Sequence, residues 1–190
     1  MRTLAAMALL VITSVGCSGG GSMPTGPESF SVPVLVTSTQ AEGSAGLSAG
    51  HAGMPHNFRT HLSGGEEVPV RDTQAQGQAI FQTGPAGGDI SYKLIVANID
   101  NVTQAHIHMA AAGVNGAIVA WLYPAAPPAM LIEGPSDGVL AEGMLSAASL
   151  VGPLAGQPLS ALLDAIRAGN AYVNVHTTQF PPGEIRGQIR

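Results

Sequence analysis

Short strand-like segments separated by turn residues follow one another from Asn57 onward. The clearest runs from Ile90 to Val96 and reads ISYKLIV, with an apolar residue at every second position. Successive side chains of a strand point to opposite faces, so this alternation gives one continuous apolar face. A chain made of such segments has to pair them into a sheet that covers its apolar face, which predicts an all-β fold.

Further segments extend the pattern. They are NFRTHLSG, GQAIFQT, AHIHM, AIVAWLYP, the possible pair MLIEG and VLAEGMLS, AYVNVHT and GEIRGQIR. Glycine-rich GPAGG, Asn115-Gly116 and TQFPPG supply turns between them. One amphipathic helix is predicted near 159–168, because Leu159, Leu162 and Ile166 recur at helical spacing. Together these elements predict a Greek-key β-sandwich or barrel with one short helix.

Composition excludes several classes of function. Charged residues make up 10% of the chain, the formal net charge is −5, and no basic cluster occurs, so nucleic-acid binding is not expected. The body of the chain has no apolar run of about 20 residues that would span a membrane. It also has no paired carboxylate motif, phosphate loop or nucleophile–histidine–acid arrangement, so hydrolysis and phosphoryl transfer have no support.

The segment 1–16, MRTLAAMALLVITSVG, has the pattern of a signal peptide, with one positive charge, an apolar stretch and small residues at its end. Cys17, the only cysteine, follows it and resembles the lipid-modified cysteine of bacterial lipoproteins, although Ser14 stands where those proteins usually have Leu. The alternative is ordinary cleavage that leaves a free thiol. Both alternatives predict an extracytoplasmic protein, anchored in the cell envelope by lipid or else secreted.

Residues 17–55 are dense in Gly, Ser, Pro and Thr and predict a flexible tether, because they bury too little apolar surface to offset their ordering entropy. The folded domain is therefore expected over residues 56–190.

Two histidines one residue apart, His106 and His108, share one face of a predicted strand. His176 lies on another predicted strand, and if the two strands are neighbours the three imidazoles meet. Three neutral imidazoles suit copper, and zinc less well. The alternatives are a hydrogen-bonded structural cluster, with Asn174 and Thr177 as partners, or a site for another polar ligand. A second set, His51, His56 and His61, is interpreted as solvated loop histidines, with additional copper capture by these histidines and Met54 at the domain edge as the alternative.

Four stretches follow one another in fixed order: LSGGEEVPV at 62–70, AHIHMAAAGVNGAIV at 105–119, AIRAGNAYVNVHT at 165–177 and PPGEIRGQIR at 181–190. Together they resemble the CHRD domain, first named for chordin. The resemblance implies an extracellular β-sandwich similar to the copper–zinc superoxide dismutase barrel, and it implies no established enzymatic activity. In that dismutase a His-x-His strand and a later histidine bind copper, which resembles the arrangement of His106, His108 and His176.

Two charged residues are further candidates. Glu67 and Arg186 are interpreted as a structural pair joining the two ends of the domain, or Arg186 as an anion-attracting group by analogy with the dismutase. Since Arg186 shares a strand face with Glu184 and Arg190, a plain solvated face is the alternative.

Three functions follow from these observations. The first is a non-catalytic module, tethered to the membrane through Cys17, that presents its sandwich to an extracellular protein or glycan. The second is a copper-binding or copper-handling envelope protein that uses the three histidines. The third, a dismutase-like enzyme, has the least support, because the sequence offers at most three metal ligands.

Overall fold

A computed structural model describes residues 57–190. The predicted signal peptide, Cys17, the tether, His51 and His56 lie outside the described residues.

Eight strands and one α-helix form the described part of the chain. They are β1 (Asn57–Ser63), β2 (Gln76–Thr83), β3 (Ile90–Asp100), β4 (Val102–Met109), β5 (Ala117–Tyr123), β6 (Pro135–Leu145), α1 (Leu159–Arg167), β7 (Ala171–Thr177) and β8 (Ile185–Gln188). Short 3-10 turns cover Gly64–Glu66, Ala147–Ser149 and Gly152–Leu154. No helix among these residues has the length and apolar character needed to cross a membrane.

The strands form one antiparallel sheet in the order β5-β4-β7-β8-β1-β2-β3-β6. Neighbours that are distant in sequence, such as β4 with β7 and β8 with β1, are typical of Greek-key connections. The sheet curls into a nearly closed barrel, and the β3 residue Tyr92 donates its hydroxyl to the carbonyl of Leu122 in β5, 2.8 Å away. The predicted all-β barrel or sandwich with one helix is confirmed.

Alternation along the strands separates a core face from an outer face. In β3 the side chains of Ile90, Leu94 and Val96 are buried, as the sequence pattern predicts, while Lys93 is exposed. Helix α1 buries its apolar stripe, including Leu162 and Ile166, as its helical spacing predicts. The core thus lies inside the curled sheet, and the opposite face of each strand is free to carry polar residues.

One predicted strand pair is wrong. VLAEGMLS lies in β6, but β6 pairs with β3, and residues 130–133 form no strand. Those residues instead donate two backbone hydrogen bonds to the start of β4, from Met130 to Thr103 and from Ile132 to Val102. A contact between distant parts of the chain therefore replaces the local hairpin that the sequence suggests.

Candidate functional site

Three histidines meet on the outer face of two neighbouring strands. β4 pairs with β7 so that His106 lies opposite Asn174, His108 opposite Tyr172 and His176 opposite Gln104. The alternating residues Ala105, Ile107, Val173 and Val175 point into the core. The period of two therefore sends all three imidazoles to the same side of the sheet, as the sequence predicts for adjacent strands.

The three histidines are buried although they lie on the outer face. His106 is 0% exposed, His108 9% and His176 6%. The turn before β5 reaches His108, and the β7–β8 loop reaches His176. β5 places Trp121 directly across from His106, with ring centroids 4.2 Å apart. Loops and one aromatic ring thus exclude water from a face that would otherwise be exposed.

Hydrogen bonds to carbonyl oxygens fix two of the imidazoles. The Nδ1–H of His108 donates to the Gly116 carbonyl at 3.0 Å, and the Nδ1–H of His176 donates to the Pro181 carbonyl at 2.9 Å. A carbonyl only accepts, so each Nδ1 carries the proton and each Nε2 keeps its lone pair. Carbonyl partners of this kind orient metal-binding histidines.

Nitrogen atoms of the three rings converge. One from each ring lies within 4.8 Å of the others, and His106, His108 and His176 are the one such group that residues 57–190 form. The His106 Nδ1 and the His176 Nε2 are 3.1 Å apart. Two nitrogens on one metal at 2.0–2.1 Å are at most about 4.2 Å apart, so small side-chain rotations would let all three bind one ion.

Two histidine nitrogens without hydrogen-bond partners also indicate that the cluster can bind a metal ion. The Nε2 atoms of His106 and His108 are buried and have no hydrogen-bond partner among the described residues. A buried polar atom without a partner costs free energy and calls for an explanation, of which an absent ion is one. The donor set consists of imidazole nitrogens, which suit copper and zinc.

Burial also keeps the histidines neutral. Desolvation, with smaller contributions from His176 and His108, lowers the pKa of His106 to about 3. Desolvation lowers the pKa of His176 to about 4, although its hydrogen bond to Pro181 acts in the opposite direction. The pKa of His108 is lowered as well, first by desolvation and then by the charge of Arg186. At neutral pH all three rings therefore offer lone pairs to a metal.

The partners expected for a purely hydrogen-bonded cluster lie elsewhere. Asn174 donates its amide to Glu67, and Thr177 donates its hydroxyl to Glu184 at 2.7 Å. The remaining link within the cluster is the contact between His106 and His176.

Glu67 and Arg186 are both buried, but they form no direct ion pair. The ion pairs of residues 57–190 are Lys93 with Glu142 and Arg167 with Asp164. Glu67 accepts the hydrogen bond from Asn174 instead. Since Arg186 is 2% exposed and Glu184 6%, the alternative of a plain solvated face does not hold for these two residues.

Arg186 binds neutral groups. It donates to the Val114 carbonyl at 2.7 Å and to the Asn115 side-chain oxygen at 3.1 Å. Its guanidinium carbon lies 3.4 Å above the centre of the Tyr172 ring. Tyr172 in turn stacks on His108, with centroids 4.9 Å apart and planes 9° apart. Arg186, Tyr172 and His108 thus form a continuous stack, which the sequence did not predict.

Trp121 is a further residue at the site that the sequence analysis did not identify. It is only half-buried and contacts His106. Its neighbours Ala120 and Leu122 are buried, so strand alternation sends Trp121 to the outer face. This alternation is the sequence signal from which the outward direction of Trp121 could have been predicted.

Comparison with known families gives one match. The family model of the CHRD domain matches residues 58–189. No curated protein and no solved structure matches the chain.

Proposed function

The chain belongs to the CHRD domain family, and from this premise we propose that its extracellular β-sandwich module binds a copper ion through His106, His108 and His176. The observation that carries the proposal is the convergence of three buried imidazoles, with one ring nitrogen from each within 4.8 Å of the others. Membership of the family supports the extracellular module, and the histidine geometry supports the metal.

Copper is favoured over the other first-row divalent metals. Sites built from imidazole nitrogens follow a general order of affinity in which copper exceeds zinc, nickel, cobalt and iron. Structural zinc sites almost always have four protein ligands, and zinc sites with three protein ligands add a water, whereas the cluster offers three buried imidazoles. The burial that lowers the histidine pKa values also removes proton competition for the ligands at neutral pH.

The test is copper titration of the full chain without a histidine tag, with copper content measured after dialysis. Wild-type protein should retain about one copper ion per chain. His106→Ala, His108→Ala and His176→Ala should each weaken binding. His61→Ala is the matched control, because His61 lies on the outer face of the same sheet but is exposed. Equal copper retention by the triple alanine variant and wild type would overturn the proposal.

A second function, presentation of the sandwich to a protein or glycan partner, is favoured by one observation. Arg59 and Arg190 exchange backbone hydrogen bonds of 2.8 and 2.9 Å, which places like-charged side chains side by side at the edge of β1 and β8. Both are exposed and line a groove of about 530 Å³ with His61, Gln78, Gln188 and one acidic residue, Glu66. Like charges in such a pair are unfavourable unless an anion joins them.

Such a groove suits an acidic polysaccharide. Retention of the wild-type chain on an immobilised carboxylated polysaccharide, lost in Arg59→Gln with Arg190→Gln, would support this second function. Arg167→Gln is the control, since Arg167 is exposed but pairs with Asp164. Equal retention of all three proteins would contradict it.

The position of the module in the cell envelope is a further proposal, supported by the signal-like segment 1–16 and by Cys17. The mature protein should begin at Cys17 with lipid attached. Intact mass of the membrane-extracted protein tests this, with Cys17→Ser as the variant. An unmodified N-terminus, or unchanged membrane fractionation of Cys17→Ser, would remove the lipid anchor.

A further inference from the structure

We infer that the histidine site selects Cu(I) over divalent metals, and that Arg186 is the positioning residue whose buried charge produces this selection. The inference rests on the proposed copper function and extends it to the oxidation state of the ion.

The site contains no negative charge to offset a dication. Its three candidate ligands are neutral imidazoles, and no carboxylate or thiolate among residues 57–190 joins the cluster. A bound Cu(II) or Zn(II) would therefore keep its full charge of +2 in a buried pocket, whereas Cu(I) would keep +1. Desolvating a larger uncompensated charge costs more free energy.

A fixed positive charge lies beside this pocket. Arg186 is 2% exposed, and its guanidinium carries a positive charge. Its guanidinium connects to His108 through the Tyr172 ring, with which each is in contact. Its hydrogen bonds go to the neutral oxygens of Val114 and Asn115 and not to an acid. The charge of Arg186 is thus left uncompensated by any direct partner.

The buried carboxylates Glu184 and Glu67 make their direct hydrogen bonds to neutral groups and not to Arg186. Glu184 accepts hydrogen bonds from Thr73 and Thr177, each 2.7 Å long. Glu67 accepts from Asn174, and its charge acts on Arg186 only through space. Burial raises the pKa of Glu67, and the charge of Arg186 acts against that rise.

The cost of the second positive charge on the metal follows from Coulomb's law. At a separation of about 10 Å and an effective dielectric constant of about 20, one unit of charge changes binding by about tenfold. Arg186 therefore weakens Cu(II) relative to Cu(I) by that factor and raises the reduction potential of the bound copper.

The number of available ligands also favours Cu(I) over Cu(II) and Zn(II). Cu(II) favours a tetragonal set of four or more ligands, and zinc sites favour a fourth ligand. Cu(I) has a filled d shell and accepts three ligands in one plane. A buried three-histidine set matches that preference without a water ligand.

Arg186 also positions the ligands. By holding Val114 and Asn115 it fixes the turn whose next residue, Gly116, accepts the hydrogen bond from His108. If Arg186 acts by positioning alone, its replacement should weaken Cu(I) and Cu(II) binding equally. If its charge acts as well, the replacement should change the ratio of the two affinities. The reduction potential separates the two roles.

The experiment uses the full untagged chain. Cu(I) affinity is measured anaerobically by competition with a chromophoric chelator, Cu(II) and Zn(II) affinities by competition with chelators for those ions, and the potential by voltammetry. Wild-type protein should bind Cu(I) more tightly than Cu(II) or Zn(II). In Arg186→Gln the ratio of Cu(II) to Cu(I) affinity should rise about tenfold, which lowers the potential by about 60 mV.

Arg186→Lys keeps the charge but loses the planar fork, so it should weaken both affinities and leave the potential close to that of wild type. Arg167→Gln, which removes an exposed arginine on α1, should change neither the copper affinities nor the reduction potential.

Tighter binding of Cu(II) than Cu(I) by wild type would overturn the inference even if the Arg186 variants do not fold. An unchanged potential in folded Arg186→Gln would overturn the role of Arg186. Absence of copper binding in either state would instead overturn the proposed function itself.

Discussion

Two regions of the same outer sheet face differ in whether their polar side chains are buried or exposed to solvent. The covered region comprises the outer face of β4 and β7 with His106, His108 and His176, all buried beneath loops. The open region comprises the outer face of β1 and β2 together with Arg190 beyond β8, where His61, Arg59 and Arg190 are exposed. Both regions have the same strand alternation and antiparallel pairing. The difference is the covering loops.

Access of solvent therefore decides which kind of ligand each part of this face can bind. In the covered region desolvation keeps imidazoles neutral and leaves nitrogens without hydrogen-bond partners, which suits a metal. In the open region the side chains stay hydrated, so they suit a partner that arrives from solution. The following predictions test this division, from the largest expected effect of a single substitution to the smallest.

Gly187→Ala should force β8 and β1 apart at the boundary between the two regions. Gly187 lies in β8 between them, and an added Cβ would collide with the His61 carbonyl oxygen of β1. Because the obstacle is backbone, the two strands would have to move apart, at a cost of about 3 kcal/mol. Urea unfolding measures the loss. Gly88→Ala is the control, since a Cβ there meets no atom within 4 Å and should leave stability nearly unchanged.

Acidification should destabilise the metal-free protein through the covered region. The pKa values of His106 and His176 are lowered from 6.5 to about 3 and about 4, so between pH 6.5 and these values the unfolded state binds more protons than the folded state. Stability is therefore complete above pH 6.5 and falls as the pH drops, by about 2 kcal/mol for each histidine at pH 5.

Urea unfolding at pH 7 and pH 5 in the presence of a chelator measures this effect. The raised pKa of Glu67 acts in the opposite direction, so wild type is compared with His106→Asn and His176→Asn, in which Glu67 is unchanged. Each variant should lose less stability than wild type between the two pH values. The same pH dependence in all three proteins would show that the covered histidines are not held neutral.

Tyr172→Phe should have an intermediate effect on the covered region alone. The Tyr172 hydroxyl accepts the backbone N–H of Gly116 at 3.1 Å, and Gly116 holds His108 through its carbonyl. Its loss leaves that N–H without its partner, at a cost of about 1 kcal/mol, and loosens His108. Copper affinity should fall while the stacking of the ring on His108 is kept. Unchanged affinity and stability would show that the Tyr172 hydroxyl is not needed to hold Gly116 in place.

Arg59→Gln combined with Arg190→Gln should have the smallest effect on stability. Both side chains are exposed, so thermal unfolding should change by no more than about 0.5 kcal/mol, and removing two like charges from neighbouring positions should act toward stabilisation. Copper binding should stay at the wild-type level. A loss of copper affinity would show that the open and covered regions are coupled.

The strands themselves could be predicted from sequence because their signal is local. Alternation from Ile90 to Val96 and the turn residues around it identify β3 and its hairpin with β2 without knowledge of any partner. The spacing of Leu159, Leu162 and Ile166 identifies α1 in the same way. The failure at residues 130–133 shows the limit of this reasoning, because their hydrogen-bond partners belong to β4, far along the chain.

The sequence by itself determined that His106 and His108 share a strand face, because side-chain direction alternates with a period of two. Only the tertiary structure decided that β7 lies beside β4, that loops bury the three imidazoles, and that Arg186 contacts His108 through Tyr172. The physical reason is that strand pairing and desolvation depend on contacts between residues distant in sequence. No local periodicity records which strand becomes a neighbour or which loop folds over a face.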